Sequence, residues 1–419
     1  MAVRNLNLIF NPRSVAVLGA SRKRTSLGSI VLANLVSGGY TGTILPVNPK
    51  YRSIDDRACF AQVGELPEPP DLAVICTPAA IVPQLVRECG EAGIRGLLIL
   101  SAGFRETGSA GGALEQEVKR VASTFDGMRI IGPNCLGIMA PHAGLNASFA
   151  SASPLKGHVA FVSQSGAICT AVLDWALQES VGFSYFISVG NMLDVSIGDL
   201  IDYLAMDRWT DSLILYLESV TESREFMSAA RAFSRKKPII AYKAGRFVES
   251  AQAAASHTGA MAGVDAVYEA AFRRAGIVRV VEMGDMFDCA ELLARQKTPR
   301  GPRLAIITNA GGPGVMAVDA LLDRKGVPAK LSEATIEKLN EHLPAAWSRR
   351  NPVDVLGDAT APRLAKAVEL VLAEKEVDAA LVIFAPQAFS KPTDAAKAVA
   401  EVVRKSNKPV LTSWMGGAT

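Results

Sequence analysis

The sequence is poor in the residue types that build metal centres and disulfide networks. Its 419 residues include only four histidines and six cysteines. The cysteines form no C-x-x-C pair and have no histidine at the spacing of a zinc site. They are Cys59, Cys76, Cys89, Cys135, Cys169 and Cys289. We therefore expect reduced thiols in a cytoplasmic protein, and no metal bound by this chain.

Long apolar runs and a one-sided charge are also missing. No window approaches the roughly 18 apolar residues that a membrane span requires, and the residues before Asn11 lack the apolar stretch of a secretion signal. The 44 basic and 41 acidic residues are spread along the chain and leave a net charge of +3. No basic stripe for nucleic acid stands out. We expect neither a membrane nor a nucleic acid as a partner.

What the sequence does contain is a regular alternation of short Val/Ile/Leu runs with longer, alanine-rich stretches of helical period. This pattern is typical of parallel sheets with helical crossovers and predicts an α/β fold throughout. A polar break at 151–157 and a Pro/Gly-containing linker at 297–303 divide the pattern. The first part has five expected strands, as in a Rossmann-like domain; they lie at 15–18, 42–46, 72–76, 96–100 and 129–131. The three predicted domains are 1–145, 151–298 and 302–419, and the third need not be complete at Thr419.

One internal repeat links the second and third domains. Residues 159–166 and 304–311 both combine an apolar strand with a hydroxyl, an amide, a small residue and a glycine. Glycine lets the backbone approach an anion, and the N–H groups and dipole of a helix start attract it. Capping of a crossover helix is the commoner explanation of any single copy, but two matched copies favour phosphate. The candidate phosphate-binding residues are Ser163, Gln164, Ser165, Gly166, Asn309, Gly311 and Gly312.

His257 is the main candidate for covalent chemistry. It lies in the run Ala-Ala-Ser-His-Thr-Gly-Ala-Met-Ala-Gly at 254–263, whose small side chains would leave an imidazole accessible. A neutral imidazole can accept a phosphoryl group near neutral pH once a partner fixes its tautomer. Glu218, at the end of an expected buried strand, is the candidate partner. Taken alone, a carboxylate at a strand end is more often a solvated loop residue.

The loop after the first expected strand, at 17–28, is similar to a dinucleotide-binding loop but breaks the G-x-G-x-x-G spacing. No Asp or Glu follows the second strand to hold an NAD ribose. Arg22, Lys23, Arg24 and Lys50 instead gather positive charge, which fits a multiply phosphorylated ligand such as coenzyme A. The alternative is a solvated basic loop. Since no G-x-x-x-x-G-K-[ST] motif or acidic cluster is present, we do not expect an ATP site in this chain.

Three motifs in order resemble the NDP-forming acyl-CoA synthetase family: Gly-Pro-Asn-Cys-Leu-Gly at 132–137, Ser-Gln-Ser-Gly at 163–166 and Ser-His-Thr-Gly-Ala at 256–260. The chain is most similar to the α-subunit type of ADP-forming acetate–CoA ligase, and more distantly to succinyl-CoA synthetase. The resemblance implies a Rossmann-like CoA-binding domain and two flavodoxin-like ligase domains. It implies that His257 is phosphorylated and that Glu218 orients it. The implied coenzyme site is Gly19, Ser21, Arg22, Lys23, Asn48, Lys50, Thr77, Pro78, Ser101 and Asn134.

The implied reaction interconverts acyl-CoA, ADP and phosphate with acid, ATP and CoA. The ATP-grasp part that would bind ADP or ATP with Mg²⁺ is missing from this sequence, so a β subunit or a fused region would supply it, and we expect a hetero-oligomer. Thr170 stands where succinyl-type enzymes carry a tyrosine, which favours a small acid such as acetate. A related architecture joins the same region to a GNAT acetyltransferase as an acyl-CoA sensor. The intact motif around His257 favours the ligase over that alternative.

Overall fold

The computed structural model describes residues 3–247, 249–250, 264–388 and 390–416. Contacts divide the chain into two compact units, Met1–Ala294 and Arg295–Thr419. Both units contain mainly parallel sheets connected by helices, so the predicted α/β class is confirmed. The predicted domain limits of 1–145, 151–298 and 302–419 stay predictions, because the first unit holds two sheets in one cluster of contacts.

The first unit begins with a five-stranded parallel sheet. In chain order the strands are arranged 2-1-3-4-5, the order of flavodoxin-like sheets, whose ligands bind beyond the carboxyl ends of strands 1 and 3. Each strand agrees with its predicted position to within one or two residues. Across the sheet the strands are Thr43–Val47, Ser14–Leu18, Leu72–Ile75, Gly96–Ile99 and Arg129–Ile131. A short antiparallel pair, Ser53–Ile54 and Arg57–Ala58, lies outside this sheet.

The second sheet of this unit has seven strands. Five are parallel, with the same relative order as in the first sheet, and two are antiparallel at one edge. Across the sheet the strands are Ile277–Val280, Ile239–Lys243, Ser212–Leu217, Leu155–Ser163, Gly182–Ser188, Gly137–Ala140 and Leu145–Ser148.

The two antiparallel strands form a hairpin that the sequence pattern did not predict. Gly137–Ala140 pairs with both Gly182–Ser188 and Leu145–Ser148. Gly137 has a φ of 118°, and a Cβ added there would lie 2.3 Å from the Ala147 carbonyl oxygen. Only glycine therefore allows the two strands to approach this closely. The hairpin carries the chain from the edge of the first sheet into the second.

Helices connect the strands of the first unit: Leu6–Phe10, Leu27–Ser37, Val82–Glu91, Ser109–Ala122, Gly166–Gln178, Ile197–Ala205, Ser223–Ser234, Asp265–Ala275 and Met283–Arg295. Short 3₁₀ segments lie at Val63–Glu65, Ala79–Ile81, Arg105–Thr107 and Pro141–Ala143. One buried cluster includes strand residues of both sheets, among them Val17 and Val162. The two sheets therefore share a hydrophobic core, which fixes the ends of their strands relative to each other.

The second unit is a smaller parallel sheet with its own core. Its strands are Val327–Pro328, Arg303–Thr308, Ala379–Phe384 and Val410–Trp414, and Val353–Asp354 also pairs with Arg303–Thr308. Its helices are Gly311–Asp323, Glu333–His342, Ala361–Ala373 and Pro392–Val403. Among the helices that are described, none is long and apolar enough to cross a bilayer.

Candidate active-site cleft and coenzyme-binding edge

The main candidate site is a cleft of about 500 Å³ in the first unit. One wall comes from the second sheet and includes the start of the helix Gly166–Gln178 and the strand end at Glu218. The other wall comes from the first part of the chain and includes Asn134 and Glu106. The predicted residues that line this cleft are Asn134, Gln164, Ser165, Gly166 and Glu218.

The turn before the helix Gly166–Gln178 is held by its own hydroxyl groups. Ser163 is fully buried; its Oγ donates to the Ser165 carbonyl oxygen (2.9 Å) and accepts from the Ser165 amide (3.0 Å). Ser165 caps the helix by accepting from the Ile168 amide at 3.3 Å. Both predicted roles, helix capping and presentation of N–H groups to the cleft, are therefore compatible at this turn.

The side chain of Gln164 binds the backbone of the neighbouring strand end. Its Oε1 accepts from the amides of Glu218 (2.5 Å) and Ser219 (3.0 Å), and its Nε2 donates to the Ser219 carbonyl oxygen (2.9 Å). A further contact joins Nε2 to the Met192 sulfur at 3.5 Å. The side-chain amide thus makes its hydrogen bonds mainly to the backbone of the neighbouring strand end. It holds the backbone of Glu218 against the start of the helix.

Glu218 follows the strand Ser212–Leu217 and is partly exposed to the cleft. Its charge acts on Tyr216 two residues earlier. Burial raises the pKa of Tyr216 to about 12, and the carboxylate of Glu218 adds to the effect. The strand end therefore presents a carboxylate beside a phenol that stays protonated at neutral pH.

The opposite wall is a network of amides and charges that the sequence did not reveal. Asn191 donates to both Glu106 and Glu115 at 2.8 Å, and its Oδ1 accepts from Asn134 at 3.3 Å. Burial opposes ionisation of Glu106, but hydrogen bonds from Asn191 and from the amides of Phe104 and Gly103 outweigh it and lower its pKa. This wall therefore presents the ionised carboxylate of Glu106 at neutral pH.

Arg105 completes this network by donating to the Asn191 carbonyl oxygen and by pairing with Glu115 at 3.5 Å. Asn191 follows the carboxyl end of the strand Gly182–Ser188. Its position just after a strand was the one feature of the sequence that could have indicated a role in the site, and the sequence has many such positions. Cys135 also lines the cleft, and burial raises its pKa to about 12. Its thiol is consequently not a nucleophile at neutral pH.

The first sheet forms a separate edge at the carboxyl ends of its first and third strands. Gly19 has a φ of 90°, and a Cβ added there would lie 3.0 Å from the Cys76 carbonyl oxygen. A Cβ on Gly28 would lie 2.2 Å from the Gly19 carbonyl oxygen. Two glycines therefore let the loop and the following helix pack against this edge.

Predicted coenzyme residues line up along this edge. Asn48 donates to the Ala20 carbonyl oxygen (2.6 Å) and accepts from the Lys50 amide (2.9 Å). Ser101 donates to the Thr77 carbonyl oxygen (2.5 Å), and the Asn134 amide donates to the Ser101 carbonyl oxygen (2.9 Å). Pro78 precedes the 3₁₀ segment Ala79–Ile81. These contacts connect the edge of the first sheet to Asn134 in the cleft.

The positive charge of the edge is largely unpaired. Ser21 Oγ accepts from the Lys23 amide at 3.1 Å, which shapes the loop. Arg22 donates to the Ser53 carbonyl oxygen at 2.8 Å and lies over the Tyr51 ring. Within the described residues, the exposed side chains of Lys23, Arg24 and Lys50 make no hydrogen bond or ion pair. Exposed cations beside a glycine turn fit a ligand with several phosphates, such as coenzyme A.

The Thr308 turn in the second unit repeats the geometry of the Ser163 turn. Thr308 Oγ1 donates to the Ala310 carbonyl oxygen (2.8 Å) and accepts from its amide (3.0 Å). Asn309 is bound to the backbone of Ala385, just beyond the neighbouring strand, at 2.7 and 2.9 Å. This is the arrangement made by Gln164 and Ser219. The internal repeat seen in the sequence is therefore also a repeat of hydrogen bonds.

The two turns differ at the helix start. Ala310 offers no side-chain cap, and Gly311 and Gly312 are the first two residues of the helix Gly311–Asp323. A Cβ on Gly311 would lie 3.4 Å from a carboxylate oxygen of Asp354, so this helix start already faces a negative charge. His257 lies outside the described residues. Within the described part of the chain, no group of His, Cys, Asp and Glu could hold a metal ion.

Comparison with known proteins agrees with this organisation. Residues 13–141 match a family model described as a CoA binding domain, and residues 156–293 match one described as a succinyl-CoA ligase like flavodoxin domain. A structure described as a dinucleotide forming acetyl-coenzyme A synthetase 1 of Ca. Korarchaeum cryptofilum, in complex with phosphate and ADP, superposes with a TM-score of 0.92 and 36% identity. The match covers 99% of this chain and 89% of that one.

Curated relatives give the same result. An ADP-forming acetate–CoA ligase I of Archaeoglobus fulgidus is 42% identical over 98% of this chain, which spans 58% of that protein's length. The α subunit of an ADP-forming acetate–CoA ligase II of Pyrococcus furiosus is 41% identical over 98% of this chain and 90% of its own length. The chain therefore belongs to the ADP-forming acetate–CoA ligase family, as a relative of its α subunits.

Proposed function

We propose that this chain carries the acyl-CoA and phosphohistidine half-reactions of an ADP-forming acetate–CoA ligase. The observation that supports this most is the cleft in the first unit. Asn134 on one wall, the N–H groups at the start of Gly166–Gln178 and the carboxylate of Glu218 all face the same space. A coenzyme extending from the basic edge past Ser101 would bring its thioester to this space.

The proposed chemistry has two steps. A phosphate oxygen attacks the acyl carbon, the carbon–sulfur bond breaks, and CoA leaves as the thiolate, giving an acyl phosphate. A nitrogen of His257 then attacks the phosphorus, and the phosphorus–oxygen bond breaks to release the free acid. The helix start at Gly166 would stabilise charge on the phosphoryl oxygens. Glu218, held in place by Gln164, would orient the imidazole and stabilise its positive charge.

Transfer of the phosphoryl group to ADP needs a part that we propose lies outside this sequence. The Pyrococcus furiosus relative is described as an α subunit, which supports a partner subunit. The Archaeoglobus fulgidus relative is longer than this chain, which supports a fused region as the alternative. ADP or ATP with Mg²⁺ would bind to that ATP-grasp part, and Asn309, Gly311 and Gly312 would contact the phosphoryl group during transfer. We place the reaction in the cytoplasm.

The size of the cleft supports a small acid. Its volume of about 500 Å³ has to hold phosphate, the acyl group and the end of the coenzyme together. Phe149 and Thr170 narrow the space beside the helix start. We therefore propose acetate or a similarly short acid as the substrate. The relatives named above are ligases, so an acyl-CoA-sensing role in a GNAT-fused protein is not favoured.

The proposal is tested by incubating the purified chain with acetyl-CoA and radiolabelled phosphate. Wild type should acquire a base-stable, acid-labile label, and His257→Ala should acquire none. CoA affinity, measured by calorimetry, should be the same for both proteins. Absence of label in wild type, with CoA still bound, would contradict the ligase proposal and favour a sensor.

A further inference from the structure

Arg105 is a cation in the cleft that the chemistry described above does not use. It begins the 3₁₀ segment Arg105–Thr107 and lines the cleft. Of the described residues around this space, it is the one lysine, arginine or histidine. Its side chain is 32% exposed, so a ligand in the cleft can reach the guanidinium. A positive charge is therefore available to a substrate at this wall.

The guanidinium is held in place by the wall behind it. Nη2 donates to the Asn191 carbonyl oxygen, and Nη1 pairs with the buried Glu115 at 3.5 Å. The Glu115 carboxylate also accepts from the Arg105 amide (3.3 Å) and from the Asn191 side chain (2.8 Å). Nε is buried without a hydrogen-bond partner. The described part of the chain therefore fixes the guanidinium but satisfies only some of its donors.

The other charged groups of the cleft oppose the entry of phosphate. Glu106 presents an ionised carboxylate, and the carboxyl group of Glu218 lines the same space. Inorganic phosphate is an anion at neutral pH and is repelled by carboxylates. The start of the helix Gly166–Gln178 attracts it only weakly, since a helix start is equivalent to about half a positive charge. Arg105 is the group in this cleft that carries a full positive charge.

We propose that Arg105 binds the inorganic phosphate that attacks the acyl group, and holds it in the cleft beside the N–H groups at the start of Gly166–Gln178. This inference deepens the proposed function and rests on it, because phosphate is a substrate of that reaction. The planar fork of a guanidinium matches two phosphate oxygens, which a lysine ammonium does not. Its anchors, Asn191 and Glu115, would fix the direction from which a phosphate oxygen approaches the acyl carbon.

A second arginine of the first unit provides a matched control. Arg129 donates to Asp194 at 3.0 Å and to Asp199 at 2.8 Å. It begins the strand Arg129–Ile131 and does not line the cleft. It therefore also forms ion pairs in the first unit, but it lies at the opposite end of this strand from the cleft residue Asn134.

The experiment measures phosphate binding in two ways. Calorimetry gives the affinity of the CoA-saturated full chain for inorganic phosphate, and rapid-quench labelling gives the phosphate concentration for half-maximal phosphoenzyme formation from acetyl-CoA. We expect Arg105→Met to weaken phosphate by about thirtyfold in both assays, the loss of a hydrogen bond to a charged group. The rate at saturating phosphate should change less, and CoA affinity should not change. Arg105→Lys should weaken phosphate by about fivefold, because lysine keeps the charge but not the fork. Arg129→Met should leave phosphate affinity unchanged.

Glu115→Gln separates phosphate binding from a role in holding the wall. It removes the ion pair that fixes the guanidinium, but it also removes a carboxylate that competes with phosphate for Arg105. Phosphate affinity should therefore stay within about threefold of wild type. If Glu115→Gln weakened phosphate as much as Arg105→Met does, the role of Arg105 would be to hold the wall, and the inference would be wrong.

Other outcomes would also overturn the inference. A folded Arg105→Met with wild-type affinity for phosphate would do so. If Arg105→Met does not fold, Arg105→Lys takes its place, and an unchanged phosphate affinity in that variant contradicts the proposal. Calorimetry separates this inference from the proposed function. A wild type that binds phosphate through Arg105 but acquires no label supports the phosphate site and contradicts the ligase chemistry, whereas a wild type that binds no phosphate contradicts the site itself.

Discussion

Gln164 offers the sharpest test of how the cleft is built. Three hydrogen bonds, between 2.5 and 3.0 Å, join its side chain to the backbone of Glu218 and Ser219. Gln164→Met keeps the length of the side chain and removes all three bonds. At about 1 kcal/mol for each bond, we expect the free energy of unfolding to fall by about 3 kcal/mol.

The effect on activity should be similar in size to the effect on folding. Once the Glu218 backbone is released, the carboxylate is free to shift by about 1 Å, and a displacement of this size costs about a hundredfold in rate. We therefore expect phosphoenzyme formation to slow by about a hundredfold at saturating acetyl-CoA, with CoA affinity unchanged. Denaturant unfolding, rapid-quench labelling and calorimetry measure the three quantities.

Asn351 supplies the control for loss of a buried amide. It donates to the carbonyl oxygens of Leu304 (2.9 Å) and Ala329 (3.0 Å) and accepts from the Ile306 amide (2.8 Å) in the second unit. Asn351→Leu should destabilise the second unit by a similar amount and leave phosphoenzyme formation nearly unchanged. If Gln164→Met retained activity within about threefold of wild type, Gln164 would not position Glu218.

Two further predictions concern the coenzyme edge and the second unit. Gly19→Ala should weaken CoA binding by about tenfold, because a φ of 90° is strained for alanine and the added Cβ would crowd Cys76. Calorimetry measures this affinity. The control is Gly39→Ala, which has a similar φ of 83° but no neighbouring atoms and should bind CoA as wild type does. Hydrogen bonds from Arg303 lower the pKa of Asp378 to about 2. The ionised Asp378 therefore stabilises the folded second unit above about pH 4, and this contribution is lost as the pH falls towards about 2. In urea unfolding, the free energy of unfolding of Asp378→Asn should depend less on pH over that interval than that of wild type.

Much of the fold could be predicted because its strands are unusually regular in composition. Buried parallel strands are continuous Val/Ile/Leu runs, which stand out between alanine-rich helices. The strands that the sequence predicts at 15–18 and 379–384 are therefore found at Ser14–Leu18 and Ala379–Phe384. The hairpin of Gly137–Ala140 and Leu145–Ser148 was missed because its strands, Gly-Ile-Met-Ala and Leu-Asn-Ala-Ser, are not continuous Val/Ile/Leu runs. Nothing in so short a segment indicates that it pairs with Gly182–Ser188.

The candidate site was only partly predictable for a related reason. Glu218 and the helix start at Gly166 follow strands directly, and sequence therefore places them at a sheet edge. Asn191, by contrast, faces the cleft through hydrogen bonds to Glu106 and Glu115, which are more than 70 residues away in the chain. Contacts of this kind depend on how two sheets pack, which local sequence does not encode.

In the proposed reaction, a phosphate oxygen attacks the acyl carbon, and the phosphoryl group of the resulting acyl phosphate is then transferred to His257. The direct measurement is the fate of the phosphate oxygens when the chain reacts with acetyl-CoA and fully ¹⁸O-labelled phosphate. If an acyl phosphate forms and its phosphorus is transferred to His257, each acetate released should contain a single ¹⁸O, and the protein should carry the remaining labelled phosphoryl oxygens. Acetate without ¹⁸O would mean that water cleaves the thioester, and would contradict the account.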